Sequence, residues 1–226
     1  MSFKEGHVSS NSNKGELTRQ KIIQATRKIL STHPYKTASI RMIGKEGGFE
    51  YPLTHYYFKN KAELFEVVSA EICEELYEAN KTFFEGLEHM TPSQGFSLYI
   101  DRFLDYNFKN PQPLRIIDLN MAHIDNFDEV PGYKHYVTLI NKIEHLFKRK
   151  IPLESSTEEI SMFVNSLIAL AISYLGLSSS YAQVLGMKSE SQAYRTWVKK
   201  SFMSLFLPWL ERIIFPDIRM GNLSSN

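Results

Sequence analysis

The chain has 226 residues, 43% of them hydrophobic, and a formal net charge of +1 at neutral pH. That is enough for one or two domains with a sizeable core. A single cysteine, Cys73, excludes an intramolecular disulfide framework and suits a reducing compartment, so a cytoplasmic protein is expected.

The opening MSFKEGHVSSNSNKGE is polar and lacks the apolar stretch of a secretory signal. Its Ser, Asn and Gly content reads as a disordered arm over residues 1–15. From Glu16 to Ser31 the spacing predicts a helix with Ile22, Ile23, Ile29 and Leu30 on one face, closed by His33-Pro34. Ser39 is placed to cap a short second helix, SIRMIGKEG, with Ile40 and Ile43 inward. Gly47-Gly48 makes a tight turn, and Phe49 is an apolar plug after it. A third short helix covers Tyr51 to Tyr57, where Pro52 is tolerated in the first turn, and Phe58 ends it facing inward. Lys61 opens a long fourth helix carrying Leu64, Phe65, Val68, Ile72 and Leu76.

Three short helices, the second and third joined by a glycine turn, form a helix-turn-helix pattern. Residues 18–61 carry a net charge of +7 and the rest of the chain −6, which suggests an anionic polymer as partner of the first part only. The third helix holds Tyr51, His55, Tyr56 and Tyr57, more rings than so small a unit can bury. Some must face outward, where they suit hydrogen bonding and stacking on nucleic acid.

Beyond Leu64 the pattern is helical throughout, with breaks near Met90-Thr91-Pro92, Asn110-Pro111, Val130-Pro131-Gly132, Ile151-Pro152 and Leu185-Gly186. Ile160 to Met187 carries no charge and is long enough to span a bilayer, but its Ser161, Asn165, Ser166, Ser173 and Gln183 argue for a buried helix of a soluble protein and no membrane. Ser166, Ala169, Ser173 and Gly176 form a small-residue stripe that lets two helices approach closely, within one subunit or between two. A final helix over about Ser191 to Phe215 should be kinked at Pro208.

Catalytic and metal patterns are missing from the sequence. The histidines do not fall in metal-binding pairs, and no nucleophile elbow, phosphate loop or CxxC occurs. Cys73 sits beside Glu71, Glu74 and Glu75, which raise a thiol pKa. Neither an enzyme nor a cofactor or metal is expected.

The segment TRQKIIQATRKILSTHPYKTASIRMIGKEGGFEYPLTHYYFKNKAELFEVV, Thr18 to Val68, resembles the tetracycline-repressor (TetR) family of bacterial regulators. The Thr-Arg start, Ser39-Ile40, Gly48, the aromatic pair before Phe58 and Lys61-x-x-Leu64-Phe65 stand in the family's order and spacing. Glu50 replaces a small polar cap, Tyr51 and Pro52 stand where Lys and Gly are common, and Leu53-Thr54 inverts the common Thr-Leu order. The resemblance implies an all-α protein, with a DNA-binding domain over residues 16–61 and a helical effector-binding and dimerisation domain over residues 62–226. It implies that Ser39, His55, Tyr57 and Lys61 contact phosphate, while Tyr51, Pro52 and Tyr56 face bases. It implies a homodimer whose interface includes Ser166, Ala169, Ser173 and Gly176, with Trp197 and Phe202 from the last helix. The ring-rich middle of the chain would line a pocket for a small, mostly apolar effector, with Tyr99, Phe103, Tyr106, Met121, His123, Tyr133 and Tyr136 as candidates. The expected function is a ligand-responsive repressor on a palindromic double-stranded operator. The alternative is a helical protein-interaction module whose first unit has lost DNA binding, since no Lys or Arg lies between Glu50 and Phe58.

Overall fold

A computed structural model describes residues 8–121, 130–152 and 154–215; the described residues are helices and their connections, with no strand among them. In chain order the helices are α1 (Val8–Leu30), α2 (Ile40–Gly47), α3 (Tyr51–Tyr57), α4 (Lys61–Phe83), α5 (Pro92–Lys109), α6 (Gln112–Met121), α7 (Tyr133–Lys150), α8 (Thr157–Ala171), α9 (Ser178–Val184) and α10 (Gln192–Ile214), with a π-helical turn at Ile172–Gly176 between α8 and α9. The described residues divide into two compact units, residues 8–71 with 119–121 and 130–133, and residues 72–118 with 134–152 and 154–215.

In the first unit, Ile22, Ile23 and Leu30 of α1, Ile40 and Ile43 of α2 and Leu64, Phe65 and Val68 of α4 are buried as a largely apolar core, which also holds Thr26 and Thr54. Burial follows the expected periodicity, because each short helix can hide only the residues on its inner stripe. α1 begins at Val8, well before Glu16, so helix replaces the arm expected over residues 8–15. Extending a helix that has already formed adds one hydrogen bond per residue fixed, without a new nucleation cost. That can outweigh the weak propensities of Ser and Asn.

In the second unit an aromatic core joins α5, α7, α8 and α10. Phe163 of α8 stands edge-on to Phe206 and Trp209 of α10, at 5.7 and 5.5 Å between ring centroids. Phe147 of α7 meets Phe84 at 5.0 Å and Tyr99 at 5.4 Å. α8 and α10 run antiparallel: Arg212 near the end of α10 donates to Glu159 near the start of α8, at 2.7 Å. Thr157–Gly176 is long and apolar enough to cross a membrane by length and composition. Its inner stripe of Ile160, Phe163, Val164 and Leu167 is buried inside the unit instead.

The charge-free segment is therefore not one regular helix. The π turn shifts the register, so Leu177, aligned with Phe163 and Leu167 on a regular helix, is exposed. α10 runs as one helix through Pro208, which lies on its exposed side.

Candidate nucleic-acid interface

The turn between α2 and α3 is fixed by glycines with different tasks. Gly48 adopts φ 64°, the left-handed region, and its N–H closes α2 onto the Gly44 carbonyl. At Gly44 a Cβ would lie 2.7 Å from the carbonyl oxygen of Phe49, so the returning backbone excludes any side chain there. Sequence reading singled out Gly47-Gly48 and missed Gly44.

Ser39 caps α2 as expected, its Oγ accepting from the Met42 N–H at 3.3 Å. The hydroxyl proton of Ser39 is left available for an external acceptor. α3 begins at Glu50 without a side-chain cap and carries Pro52 in its first turn. Its inward residue is Thr54, only 1% exposed, with Phe58 sealing the end at 2%. The inverted Leu53-Thr54 order thus places the smaller, polar side chain inside and leaves Leu53 half-buried. No hydrogen-bond partner reaches the Thr54 hydroxyl.

The rings of α3 turn outward. Tyr56 is 82% exposed and Tyr51 48%; Pro52 and His55 are also exposed, and Tyr57 is half-buried. Tyr51 packs edge-on against His55 at 4.6 Å, one turn along the helix, and Tyr56 against Tyr57 at 5.0 Å. His55 Nδ1 lies 3.2 Å from the Lys59 carbonyl oxygen. A carbonyl can only accept, so Nδ1 carries the proton and Nε2 of the neutral ring is an acceptor. The helix therefore presents two phenol groups and an imidazole, able to donate or accept, with apolar faces for a thymine methyl.

Lys61 opens α4, and its side chain turns back to the α1–α2 connection. Its ammonium donates to the carbonyls of Tyr35 at 2.8 Å and Ala38 at 3.1 Å, over the Tyr35 ring. Burial draws its pKa down. Two of its three protons are thus committed to closing the α1–α2 connection. Arg41 and Lys45 on α2 and Lys59 after α3 are exposed and supply the cationic margin that α3 lacks. A second device missed in the sequence fixes the start of α4: Asn60 Oδ1 accepts from Glu63 N at 2.8 Å, and Glu63 Oε2 accepts from Lys59 N at 2.7 Å. The N-x-x-E spacing of Asn60 and Glu63 is its visible signal.

In the second unit, Tyr99, Phe103 and Tyr106 each contact Phe83, at 5.9, 6.1 and 5.9 Å. The Tyr99 hydroxyl donates to Asn80 and that of Tyr106 to Glu75. Tyr133 belongs to the first unit and Tyr136 to the second. His123 and the side chain of Met121 lie outside the described residues. The seven candidates are therefore not gathered within one unit. An apolar cavity of ≈ 320 Å³ lies by the turn after α4 and includes only Tyr99 of them.

Of the residues expected at a dimer interface, Ser166 and Ala169 are exposed, and Ser173 and Trp197 are half-buried. Phe202 and Gly176 correct that expectation. Phe202 has no exposure and packs on Phe103, Tyr174 and Phe206 within the unit. A Cβ on Gly176 would sit 2.7 Å from Asp118 Cβ and 3.0 Å from the Leu114 carbonyl oxygen, so this glycine admits α6 of the same chain.

Residues 22–68 match the family described as bacterial regulatory proteins, tetR family. Among solved structures, the chain is similar to a TetR-family transcriptional regulator from Agrobacterium tumefaciens, with 16% identity, 88% of this chain and 98% of that one covered, and a TM-score of 0.59. It is similar to the fatty acid degradation regulator FadR from Bacillus halodurans, with 14% identity, coverages of 96% and 99%, and a TM-score of 0.59. It is also similar to FadR from Bacillus subtilis, solved in complex with stearoyl-CoA, with 14% identity, coverages of 87% and 97%, and a TM-score of 0.56. At these identities the likeness is one of fold. No curated protein sequence matches the chain.

Proposed function

We infer the function of this chain from the family to which it belongs, the tetR-family transcriptional regulators, and from the side chains it presents. Members of this family are DNA-binding proteins and not enzymes. Our reading is a cytoplasmic, ligand-responsive repressor that binds a palindromic double-stranded operator as a homodimer. The observation that carries it is the outward cluster of Tyr51, His55 and Tyr56 on a helix whose other face is locked by Thr54 and Phe58. A short rigid helix with polar-tipped rings suits readout of base edges in a major groove, while Arg41, Lys45 and Lys59 suit the phosphates.

Dimerisation is supported by the outer faces of α8 and α10. Met162 is 51% exposed and Leu205 57%, on helices set antiparallel by the Glu159–Arg212 pair. Met162, Ser166 and Ala169 share one stripe of α8; Leu205, Pro208 and Arg212 share one stripe of α10. An apolar face of this kind suits a two-fold contact, and a two-fold dimer suits the two half-sites of a palindrome. An apolar effector is supported by the cavity of the second unit and by the stearoyl-CoA complex of the Bacillus subtilis neighbour.

The test is selection of bound sequences from a random DNA pool, followed by gel shifts across a salt series. Recovery of an inverted repeat with strongly salt-dependent affinity supports the reading. Recovery of no preferred sequence favours the interaction-module alternative, for which the absence of Lys and Arg on α3 speaks.

A further inference from the structure

We propose that the second unit binds a linear amphiphile with an anionic head, in a two-chamber cavity divided by Tyr99 and Phe147. The proposal deepens the ligand-responsive reading above and rests on it only for the consequence at DNA.

The outer chamber, ≈ 320 Å³, is enclosed by the turn after α4, the start of α5, the end of α7 and the end of α10. Its size falls in the range of small-molecule sites. Phe84, Leu87, Phe96, Leu210 and Ile214 make its walls apolar. A second void of ≈ 30 Å³ lies among Ile100, Phe103, Leu167 and Phe202. Tyr99 and Phe147 are the two residues that line both. Their rings stand 5.4 Å apart at 71°, as a partition.

The two leaves of this partition differ. Tyr99 is pinned, its hydroxyl donating to Asn80 Oδ1 at 3.0 Å, and Asn80 in turn donates to the Leu76 carbonyl. Phe147 is held by ring packing alone, against Phe84, Tyr99 and Phe163, so in this proposal it is the leaf that yields to an apolar chain. The route follows α5 from Gly95 past Tyr99 to Phe103, two turns and about 12 Å at the helical rise. A narrow path of that length between ring faces admits an unbranched chain better than a fused or bulky ring system.

The mouth fixes the polar end. Lys150, the last residue of α7, lines it. So do Thr91 and Pro92, where α5 begins, and the first turn of a helix attracts negative charge. Glu88 is the one acidic residue in the lining. Lys150 together with the start of α5 outweighs it and selects an anion.

Gly95 gives a handle on the chamber. A Cβ there would make only ordinary contacts, 3.8 Å to Met90 Cβ and 4.0 Å to Leu87 Cβ, so a larger side chain can grow into the space. The experiment is calorimetric titration of the full chain, without DNA, with octanoate, decanoate, dodecanoate and dodecylamine. Affinity should rise about fourfold per methylene, from about 0.8 kcal/mol for each one buried. Dodecylamine should bind at least about tenfold more weakly than dodecanoate, and Lys150→Met should erase that difference. Gly95→Leu should abolish binding with an unchanged or higher Tm. Phe147→Leu should move the optimum to longer chains and keep the preference for the acid. Equal affinity for acid and amine, no dependence on chain length, or full binding by Gly95→Leu would each overturn the proposal. A second titration, with the selected DNA present, separates the two readings. Binding of dodecanoate that leaves DNA affinity unchanged keeps the chamber and removes the ligand-responsive repressor. DNA release that persists in Gly95→Leu removes the chamber and keeps the repressor.

Discussion

The ammonium of Lys61 lies 2.8 Å from the carbonyl oxygen of Tyr35 and 4.1 Å from the centre of the same residue's ring. A third link, to the Ala38 carbonyl, makes this side chain the clasp of the loop that carries Ser39 and α2. Lys61→Met keeps the methylene stem and removes the donors. Hydrogen bonds to charged groups contribute about 1.5–3 kcal/mol each; we expect a net loss of about 2 kcal/mol, because water replaces part of the contact. Circular dichroism melts should show it, and DNA selected at low temperature should keep the same sequence preference. An unchanged Tm with weakened DNA binding would return Lys61 to phosphate contact.

Base reading and backbone positioning should separate by helix. Tyr56→Ala and Tyr51→Ala are expected to change which sequences are recovered from a random pool. Arg41→Ala and Lys45→Ala should weaken all sequences alike, and each should lower the slope of log affinity against log salt by about one. Uniform losses from the tyrosine variants would remove them from readout.

The buried hydroxyl of Thr54 has no hydrogen-bond partner. Val fills nearly the same space without that polar atom. Relief of an unsatisfied buried group is worth about 1–3 kcal/mol, so Thr54→Val should raise the urea midpoint with an unchanged slope. A lower midpoint would mean that the hydroxyl is satisfied in solution.

Most of the first unit was legible in the sequence because its signals are local. Ser39, Gly48, Pro52 and Phe58 act within a few residues of themselves, and the helical period put Ile22, Ile43, Leu64 and Val68 inside. What escaped depends on distant partners. Nothing near Lys61 in the chain announces the carbonyls of Tyr35 and Ala38. The small-residue stripe was read as one continuous surface, but the π turn at Ile172–Gly176 rotates its far end toward α6. Phe202 was expected at the dimer interface, but α10 is packed on one side, which puts Phe202 on its inner stripe and Leu205, three residues on, on its outer one.

That distinction sets the test of association. Leu205→Glu changes only the outer face, so sedimentation should show a weakened dimer with helical content preserved. Gly176→Ala should instead lower the stability of the unit by about 1–3 kcal/mol through overpacking against Leu114 and Asp118. A fully dimeric Leu205→Glu protein at low concentration would argue against this face.

Burial, with Glu74 beside it, pushes the Cys73 thiol up to about 12. An unfolded cysteine ionises near pH 8.5. Between these values the unfolded state loses the proton first, so this group's contribution to stability is complete below about pH 8.5 and declines as pH rises toward 12. Alkylation by iodoacetamide at pH 8 should be slow in the native protein and fast in urea. Rapid labelling of the native state would show that α4 opens locally.

Position 48 selects handedness rather than size. Its backbone sits at φ 64°, and a Cβ there would meet nothing within 4 Å. The penalty against L-alanine is therefore one of mirror sense alone. A D-alanine, introduced by chemical ligation, has that sense built in and should tighten the bend between α2 and α3 by narrowing the freedom of the unfolded chain. L-alanine at the same place should loosen it. The two enantiomers, identical in composition, would move the fold in opposite directions.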